Sequence, residues 1–302
     1  MQMELFGDEA PSAIQRIVNV ASVPQRSPFR YPGGKTWLVP RIREWLGSRL
    51  QHPALFLEPF AGGGIISLTV AAEGLADQVV IVELDADVAA VWQAIITDGD
   101  GPWLADQIIS FKLTPTTVAD ELSREPTDNR MRAWRTLLKN RVNRGGILAP
   151  GAGLIRYGEG GKGLASRWYP QTLSQRIHEL HAIRHRIAFR QGDGLSVMRE
   201  YVDYADSCIF IDPPYTAGGK GKRAGARLYT HSTLDHEALF AIAQNMAGDV
   251  LMTYDNNAEV VELATRHGFA TAAIPMKNTH HAEMTELLIG RRLDWLAARH
   301  GV

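Results

Sequence analysis

The chain has 302 residues, 45% of them hydrophobic, enough for one sizeable core with room for an insertion and too apolar for wholesale disorder. A single cysteine, Cys208, excludes a disulfide framework and a multi-cysteine zinc site. The formal charge of −1, from 32 Lys and Arg against 33 Asp and Glu, gives by itself no reason to expect a nucleic-acid partner.

In chain order, residues 1–26 lack sustained periodicity and read as a flexible tail. Within it Gln2, Leu5 and Phe6 resemble the short peptide that docks on bacterial sliding clamps, with Leu5 and Phe6 suited to an apolar pocket. Next comes Arg30–Thr36, RYPGGKT, an aromatic ring, a tight turn and a lysine at a helix start. A triphosphate-binding loop would need glycine at position 29, where the chain has Phe29, so that reading is rejected.

From residue 54 onward, apolar runs alternate with amphipathic stretches: a strand over 54–57, a helix over 64–73, a strand over 79–82 and a helix over 87–96. That order predicts a parallel sheet covered on both faces. The alternation stops near residue 100. Helical periodicity returns over 130–142 and 173–186, on either side of a Gly- and Pro-rich loop over 145–170. The sheet then resumes with strands over 187–190 and 208–211 and a helix over 195–201 between them. A helix over 234–246, a strand over 250–254, a helix over 258–267 and strands over 271–274 and 285–289 complete it. The expected fold is therefore an α/β sheet whose catalytic domain comprises 27–104 and 187–302, interrupted by an insert over 105–186.

The even overall charge hides a distribution. Between Arg124 and Arg190 there are fourteen basic and four acidic residues, an excess of ten positive charges, so the remainder carries −11. The basic residues are interleaved with Trp134, Tyr157, Trp168 and Tyr169, a pattern suited to a polyanion-binding surface. Arg132, Arg135, Lys139, Arg141 and Arg144 are the expected phosphate contacts. His178, His181 and His185 share a helix face without clustered carboxylates or cysteine, and no metal is expected there.

Two strand ends carry the candidate chemistry. At the first, Glu58, Pro59, Phe60, Gly62 and Gly64 form a glycine turn into a helix, whose N-terminal N–H groups face a ligand. Glu83 follows 19 residues after Gly64 at the end of the next strand, where an acid accepts ribose hydroxyls. Ser67 stands where the dinucleotide fingerprint has its third glycine, so an adenosine-containing ligand is favoured and NAD is not specifically indicated. At the second strand end, Asp212, Pro213, Pro214 and Tyr215 fix a carboxylate and backbone carbonyls beside an aromatic face. Such acceptors suit a planar group bearing an exocyclic amine. Lys220, Lys222 and Arg223 lie in the glycine-containing loop that follows.

RYPGGK, FLEPFAGGG and DPPY, in this order with a basic insert between the last two, resemble the Dam-type, class alpha, DNA adenine-N6 methyltransferases over about Ser27 to Ile289. The resemblance implies an S-adenosylmethionine-dependent methyltransferase sheet, Rossmann-like, with a mainly helical target-recognition insert. It implies that Tyr31 and Lys35 contact S-adenosylmethionine, that Glu58, Pro59, Phe60, Gly62 and Gly64 line its methionine end, that Glu83 binds the ribose and that Asp193 lies near the adenine. Asp212–Tyr215 would form the catalytic pocket for a flipped adenine, with Lys220, Lys222 and Arg223 closing on the DNA. Two stretches of the insert, 143–153 and 166–170, differ from the GATC-specific enzymes, which speaks against a GATC target. The partner implied is double-stranded DNA and the setting a bacterial or phage-infected cytoplasm, with a monomeric protein and no membrane segment. Alternatives left open are an RNA adenine or a DNA cytosine N4 as substrate, and a non-catalytic DNA-binding relative.

Overall fold

The computed structural model describes residues 20–31, 33–158, 161–214, 234–277 and 283–296. Seven strands, β1 (Leu55–Glu58), β2 (Gln78–Glu83), β3 (Ile187–Gln191), β4 (Ser207–Ile211), β5 (Asp249–Asp255), β6 (Ala270–Lys277) and β7 (Glu283–Gly290), form one sheet in the order β3-β2-β1-β4-β5-β7-β6. The first five run parallel, and β7 pairs antiparallel with both β5 and β6. The sheet is thus mixed, where the apolar runs alone had suggested a parallel one.

Strand periodicity divides the core into two layers. Phe56, Val79, Ile81, Cys208, Phe210, Leu251 and Leu288 point to one face, while Leu57, Val80, Val82, Ile209, Ile211, Met252 and Ile289 point to the other. The first face is covered by α1 (Val39–Gly47), α2 (Ile65–Glu73) and α3 (Ala86–Trp92), and the second by α8 (Gly194–Glu200), α9 (His236–Asn245) and α10 (Ala258–Arg266). With both faces covered, the central strands read as unbroken apolar runs, which is why they are visible in the sequence.

Local chemistry sets the helix starts. Asp85, Asp193, Asp235 and Asn257 each accept backbone N–H groups of the helix they precede. Gly64 has φ +63° before α2 and offers no side-chain cap. Glu58 substitutes, accepting the Ser67 N–H at 3.0 Å.

The segment between β2 and β3 folds as α4 (Gly101–Ser110), α5 (Pro115–Ser123), α6 (Asn129–Val142) and α7 (Pro170–Ala182). Trp134, Leu137, Leu138, Leu173, Ile177 and Leu180 belong to the same hydrophobic cluster as Phe56 and Val79. Helices α6 and α7 lean on α3 and α4. Trp134, 2% exposed, packs edge-on to Phe111 and Trp168 with ring centroids 5.1 and 6.3 Å away, and its indole N–H donates to Glu121. Trp134 and Trp168 therefore build core rather than a polyanion-facing surface; Tyr157 and Tyr169, 81% and 45% exposed, are the aromatics that do face solvent.

Candidate active site

Parallel strands in a doubly wound sheet deliver their C-terminal ends to one edge, and the chain changes direction there between β1 and β4. At the end of β1 the turn Ala61–Gly64 is pinned by its own backbone. Ala61 N–H donates to the Val82 carbonyl at 2.9 Å, and Gly64 N–H to the Ala61 carbonyl at 2.7 Å. The Trp92 indole N–H reaches the Gly62 carbonyl at 3.1 Å, and Gly62 N–H donates to Glu83 Oε2 at 2.9 Å. The other oxygen of Glu83 accepts the Asp85 N–H at 2.8 Å. Each carboxylate oxygen accepts more than one hydrogen bond, so both retain capacity for hydroxyl donors.

Tyr31 covers this turn. A Cβ on Gly62 would sit 2.6 Å from Tyr31 Cε1, and one on Gly63 2.7 Å from Tyr31 Cβ. Gly62 also has φ +48°, so its lack of a side chain serves both the backbone and the ring. On the other side Gly194 packs so tightly on the Pro59 carbonyl and the Phe60 ring that no Cβ fits. Asp193 consequently lies beside Pro59 and Phe60, where its carboxylate caps α8 by accepting the Ser196 N–H and hydroxyl, both at 2.8 Å.

The second cluster surrounds Lys35, which is 3% exposed. Its ammonium lies 3.1 Å from Asp212 Oδ1 and 3.6 Å from Glu286 Oε2, and donates to the Gly33 carbonyl at 3.1 Å. Asp212 follows β4 directly, and its Oδ1 also accepts the Thr253 hydroxyl at 2.8 Å from neighbouring β5. Pro213 is buried and Pro214 half-buried.

Burial makes the acids around this edge reluctant to ionise. Glu58 is pushed up to about 8, with Asp212 and Glu83 adding to a push that the Ser67 contacts oppose. Burial likewise pushes Glu83 up to about 7 against the pull of backbone N–H groups, and Glu286 up to about 7 against the pull of Lys35. Asp255 is raised for the same reason.

Tyr31, Glu58, Pro59, Phe60, Gly62, Gly64, Glu83 and Asp193 therefore gather along the ends of β1, β2 and β3, and Lys35 and Asp212 meet at β4. Tyr215, Lys220, Lys222 and Arg223, and Gln2, Leu5 and Phe6 of the tail, lie outside the described residues. Thr253, Asp255 and Glu286 lie in stretches that resemble the family, 251–256 and 285–289, but sequence alone assigns none of them an individual role. The usable signal was a lone acid inside the apolar run 285–289, and β5–β7 pairing sets that acid, Glu286, opposite Asp255.

One expected phosphate contact is corrected. Arg141 is 4% exposed and donates to the Pro28 carbonyl, so it faces protein rather than solvent. Its neighbours act alike. Asn140 accepts the Arg30 N–H and donates to the Arg30 carbonyl, both at 2.9 Å, while Arg176 donates to the Ser27 carbonyl at 3.2 Å. Arg135 is partly engaged, donating to the Leu122 carbonyl at 2.8 Å.

Residues 31–124 match the family model described as D12 class N6 adenine-specific DNA methyltransferase. That segment is similar to the D12 class, and it spans less than a third of the chain. The match supports methyltransferase activity with S-adenosylmethionine as the methyl donor. A comparison with curated proteins finds no significant match.

Among solved structures, the rRNA methyltransferase aviRa from Streptomyces viridochromogenes is 13% identical, with 89% of each chain covered and a TM-score of 0.38. The M1A22 tRNA methyltransferase TrmK of B. subtilis is 12% identical, covering 87% of this chain and 69% of that one at a TM-score of 0.36. A precorrin-6y C5,15-methyltransferase from Geobacter metallireducens is 8% identical, covering 84% and 86% at 0.35. Likenesses this distant carry no argument about what the chain acts on. No helix among the described residues is long and apolar enough to cross a membrane.

Proposed function

We propose that the chain transfers a methyl group from S-adenosylmethionine to the N6 amine of an adenine flipped out of double-stranded DNA. The observation that carries this reading is the placement of Asp212. Its carboxylate is held by Thr253 and Lys35 at the end of β4, ahead of two prolines, on the same sheet edge as the Gly62–Glu83 pair.

The residues present fit the cofactor. The two oxygens of Glu83 have acceptor capacity for a ribose diol, beside the Gly62 turn and the Tyr31 ring packed on it. Tyr31, Phe60, Gly62, Gly64, Glu83 and Asp193 would hold it, with Lys35, Glu58 and Pro59 supporting them. When bound, S-adenosylmethionine supplies an electrophilic methyl group on a sulfonium.

The chain's own task is to make a poor nucleophile reactive. An adenine amine delocalises its lone pair into the ring. The Asp212 carboxylate and the Pro213 carbonyl accept its two hydrogens, favouring a tetrahedral nitrogen and stabilising the positive charge that develops on it. On gaining the methyl group, as the donor's S–CH3 bond breaks to leave a neutral thioether, the nitrogen would release one of those hydrogens as a proton to solvent water. Extruding the base costs a few kcal/mol, and stacking on Tyr215, which follows Pro214 in the chain, offsets about 1–3 kcal/mol of it. No covalent intermediate with the protein is required. Cys208 accordingly has no part in the step: it is a buried residue of β4 whose thiol burial pushes up to about 12.

The test is radiolabelled methyl transfer to unmethylated genomic DNA, followed by nucleoside analysis. Wild type should yield N6-methyladenine, and Asp212→Ala should abolish transfer while retaining its melting transition. Near-normal transfer by Asp212→Ala overturns the assigned role. Product as N4-methylcytosine, or transfer to RNA alone, overturns the substrate.

A further inference from the structure

Three carboxyl groups converge on one buried ammonium at the end of β4. Asp212 follows β4, Asp255 ends β5, and Glu286 stands opposite Asp255 in the β5–β7 ladder. By alternation along their strands, Thr253, Asp255 and Glu286 take the same sheet face as Leu251 and Leu288. Lys35 reaches that face from the segment leading into α1.

The ammonium is shared unequally. It lies 3.1 Å from Asp212 Oδ1 and from the Gly33 carbonyl, both at hydrogen-bond distance, and 3.6 Å from Glu286 Oε2. Moving it by the difference, about 0.5 Å, reverses the preference between the two carboxylates. The Lys35 and Glu286 side chains are only 4% and 13% exposed, so so small a displacement acts through little screening.

Glu286 has no other polar engagement at that oxygen. Oε2 is buried and takes no hydrogen bond among the described residues. On β6 the residue opposite is Ile274, which sets no charge against it. The charged groups that face Glu286 are thus Lys35, Asp212 and Asp255. As a structural element such an acid is a liability, because a buried oxygen without a hydrogen bond costs stability. Its one evident partner is the ammonium that also holds Asp212.

We propose that Glu286 is a positioning residue for methyl transfer: it competes with Asp212 for Lys35 and so sets how strongly Asp212 accepts the hydrogens of the adenine amine. The proposal rests on Asp212 being that acceptor. With Glu286 protonated, Lys35 belongs to Asp212 and offsets its charge. With Glu286 ionised, the ammonium is drawn toward Oε2, and Asp212 becomes the stronger acceptor for a nitrogen that is turning positive. The added negative charge near Asp212 acts in the same direction. Glu286 loses its proton to solvent on ionising and takes no part in bond making. Burial pushes its carboxyl up to about 7, against the pull of Lys35 and with a further push from Asp212 and Asp255. Both forms are therefore populated near neutral pH.

The experiment has two arms, each comparing wild type with Glu286→Gln, which keeps the shape and cannot ionise. The first measures single-turnover methyl transfer to DNA at saturating S-adenosylmethionine between about pH 6 and about pH 9. The two rates should agree at the acid end. Wild type should then rise more steeply, leaving the variant roughly 3- to 10-fold slower at the alkaline end with an unchanged KM for DNA, the effect of up to about one pK unit in the acceptor. Parallel profiles, at wild-type level or uniformly depressed, overturn the positioning role.

The second arm needs neither substrate nor cofactor. Lysine-selective NMR of the ligand-free protein follows the Lys35 ammonium, its signal identified by its loss in Lys35→Arg. That signal should titrate with a midpoint of about 7 in wild type and lose this step in Glu286→Gln. Identical titration in the two proteins overturns the competition for Lys35. A Lys35 signal that behaves as expected in a protein that methylates no DNA adenine fails differently: the pairing survives, and the positioning role falls with the assigned reaction.

Discussion

Glu58 offers a quantitative handle on the catalytic edge. In the unfolded chain its carboxyl titrates near 4.5, whereas burial in the fold pushes it up to about 8. The folded protein therefore keeps a proton that the unfolded chain has released. With a raised folded-state value, the stability associated with this group is fully present below about 4.5 and is lost as pH climbs toward 8. At about 1.4 kcal/mol per pH unit, moving from about pH 5.5 to about pH 7.5 removes roughly 3 kcal/mol. In a protein of this length that corresponds to roughly 4–5 °C in Tm. Glu58→Gln keeps an oxygen to accept the Ser67 N–H but cannot ionise. Thermal denaturation of the ligand-free protein at the two pH values should show the variant's advantage over wild type growing by about 3 kcal/mol from the lower to the higher. Glu83 and Glu286 titrate in both proteins and cancel in the difference. Parallel pH dependences, with the advantage changing by less than about 1 kcal/mol, would refute the claim that Glu58 is buried neutral.

Two further outcomes follow from the packing. Gly62→Ala should cost about 2–4 kcal/mol, combining strain at φ +48° with a Cβ 2.6 Å from Tyr31; in a double-mutant cycle with Tyr31→Ala by urea denaturation, relief of the ring clash should appear as a favourable coupling of about 1 kcal/mol, and strict additivity would contradict the contact. Asn140→Ala leaves the Arg30 N–H, the Arg30 carbonyl and the Gly146 carbonyl without their shared partner, so it should destabilise by about 3 kcal/mol and expose the 27–35 segment to limited proteolysis, whereas a loss below about 1 kcal/mol would mean water replaces the side chain.

The parts of the fold legible in the sequence were those whose physics is local. β1, β2, β4 and β5 are apolar on both faces and were located to within a residue of their ends. Helices α4 and α5 went unread because each carries a proline in its first turn, a residue that marks loops as readily as helix starts. The site divides in the same way. Gly62, Glu83 and Asp212 announce themselves as strand-end residues, but Thr253 and Glu286 matter only because β5 lies between β4 and β7, a pairing no short window contains. In the insert, counting charge revealed an excess without saying where it points. Arg141 and Arg176 use their guanidinium groups on carbonyls of Ser27–Arg30, and Trp134 uses its ring on Phe111. Long-range burial decides such roles, and composition does not record it.

The grip of Asn140, Arg141 and Arg176 on the Ser27–Arg30 backbone bears on how sequence preference in such an enzyme can be re-engineered. A chimera joined only at the ends of the insert would bring in foreign side chains and strand three carbonyls and one N–H that the resident ones satisfy. The transferable cassette would therefore be discontinuous: the whole segment between β2 and β3 together with 27–31, exchanged as a pair. Grafts that carry both pieces should fold and bind cofactor like the parent, and grafts that carry the insert alone should lose cofactor binding before they lose anything else.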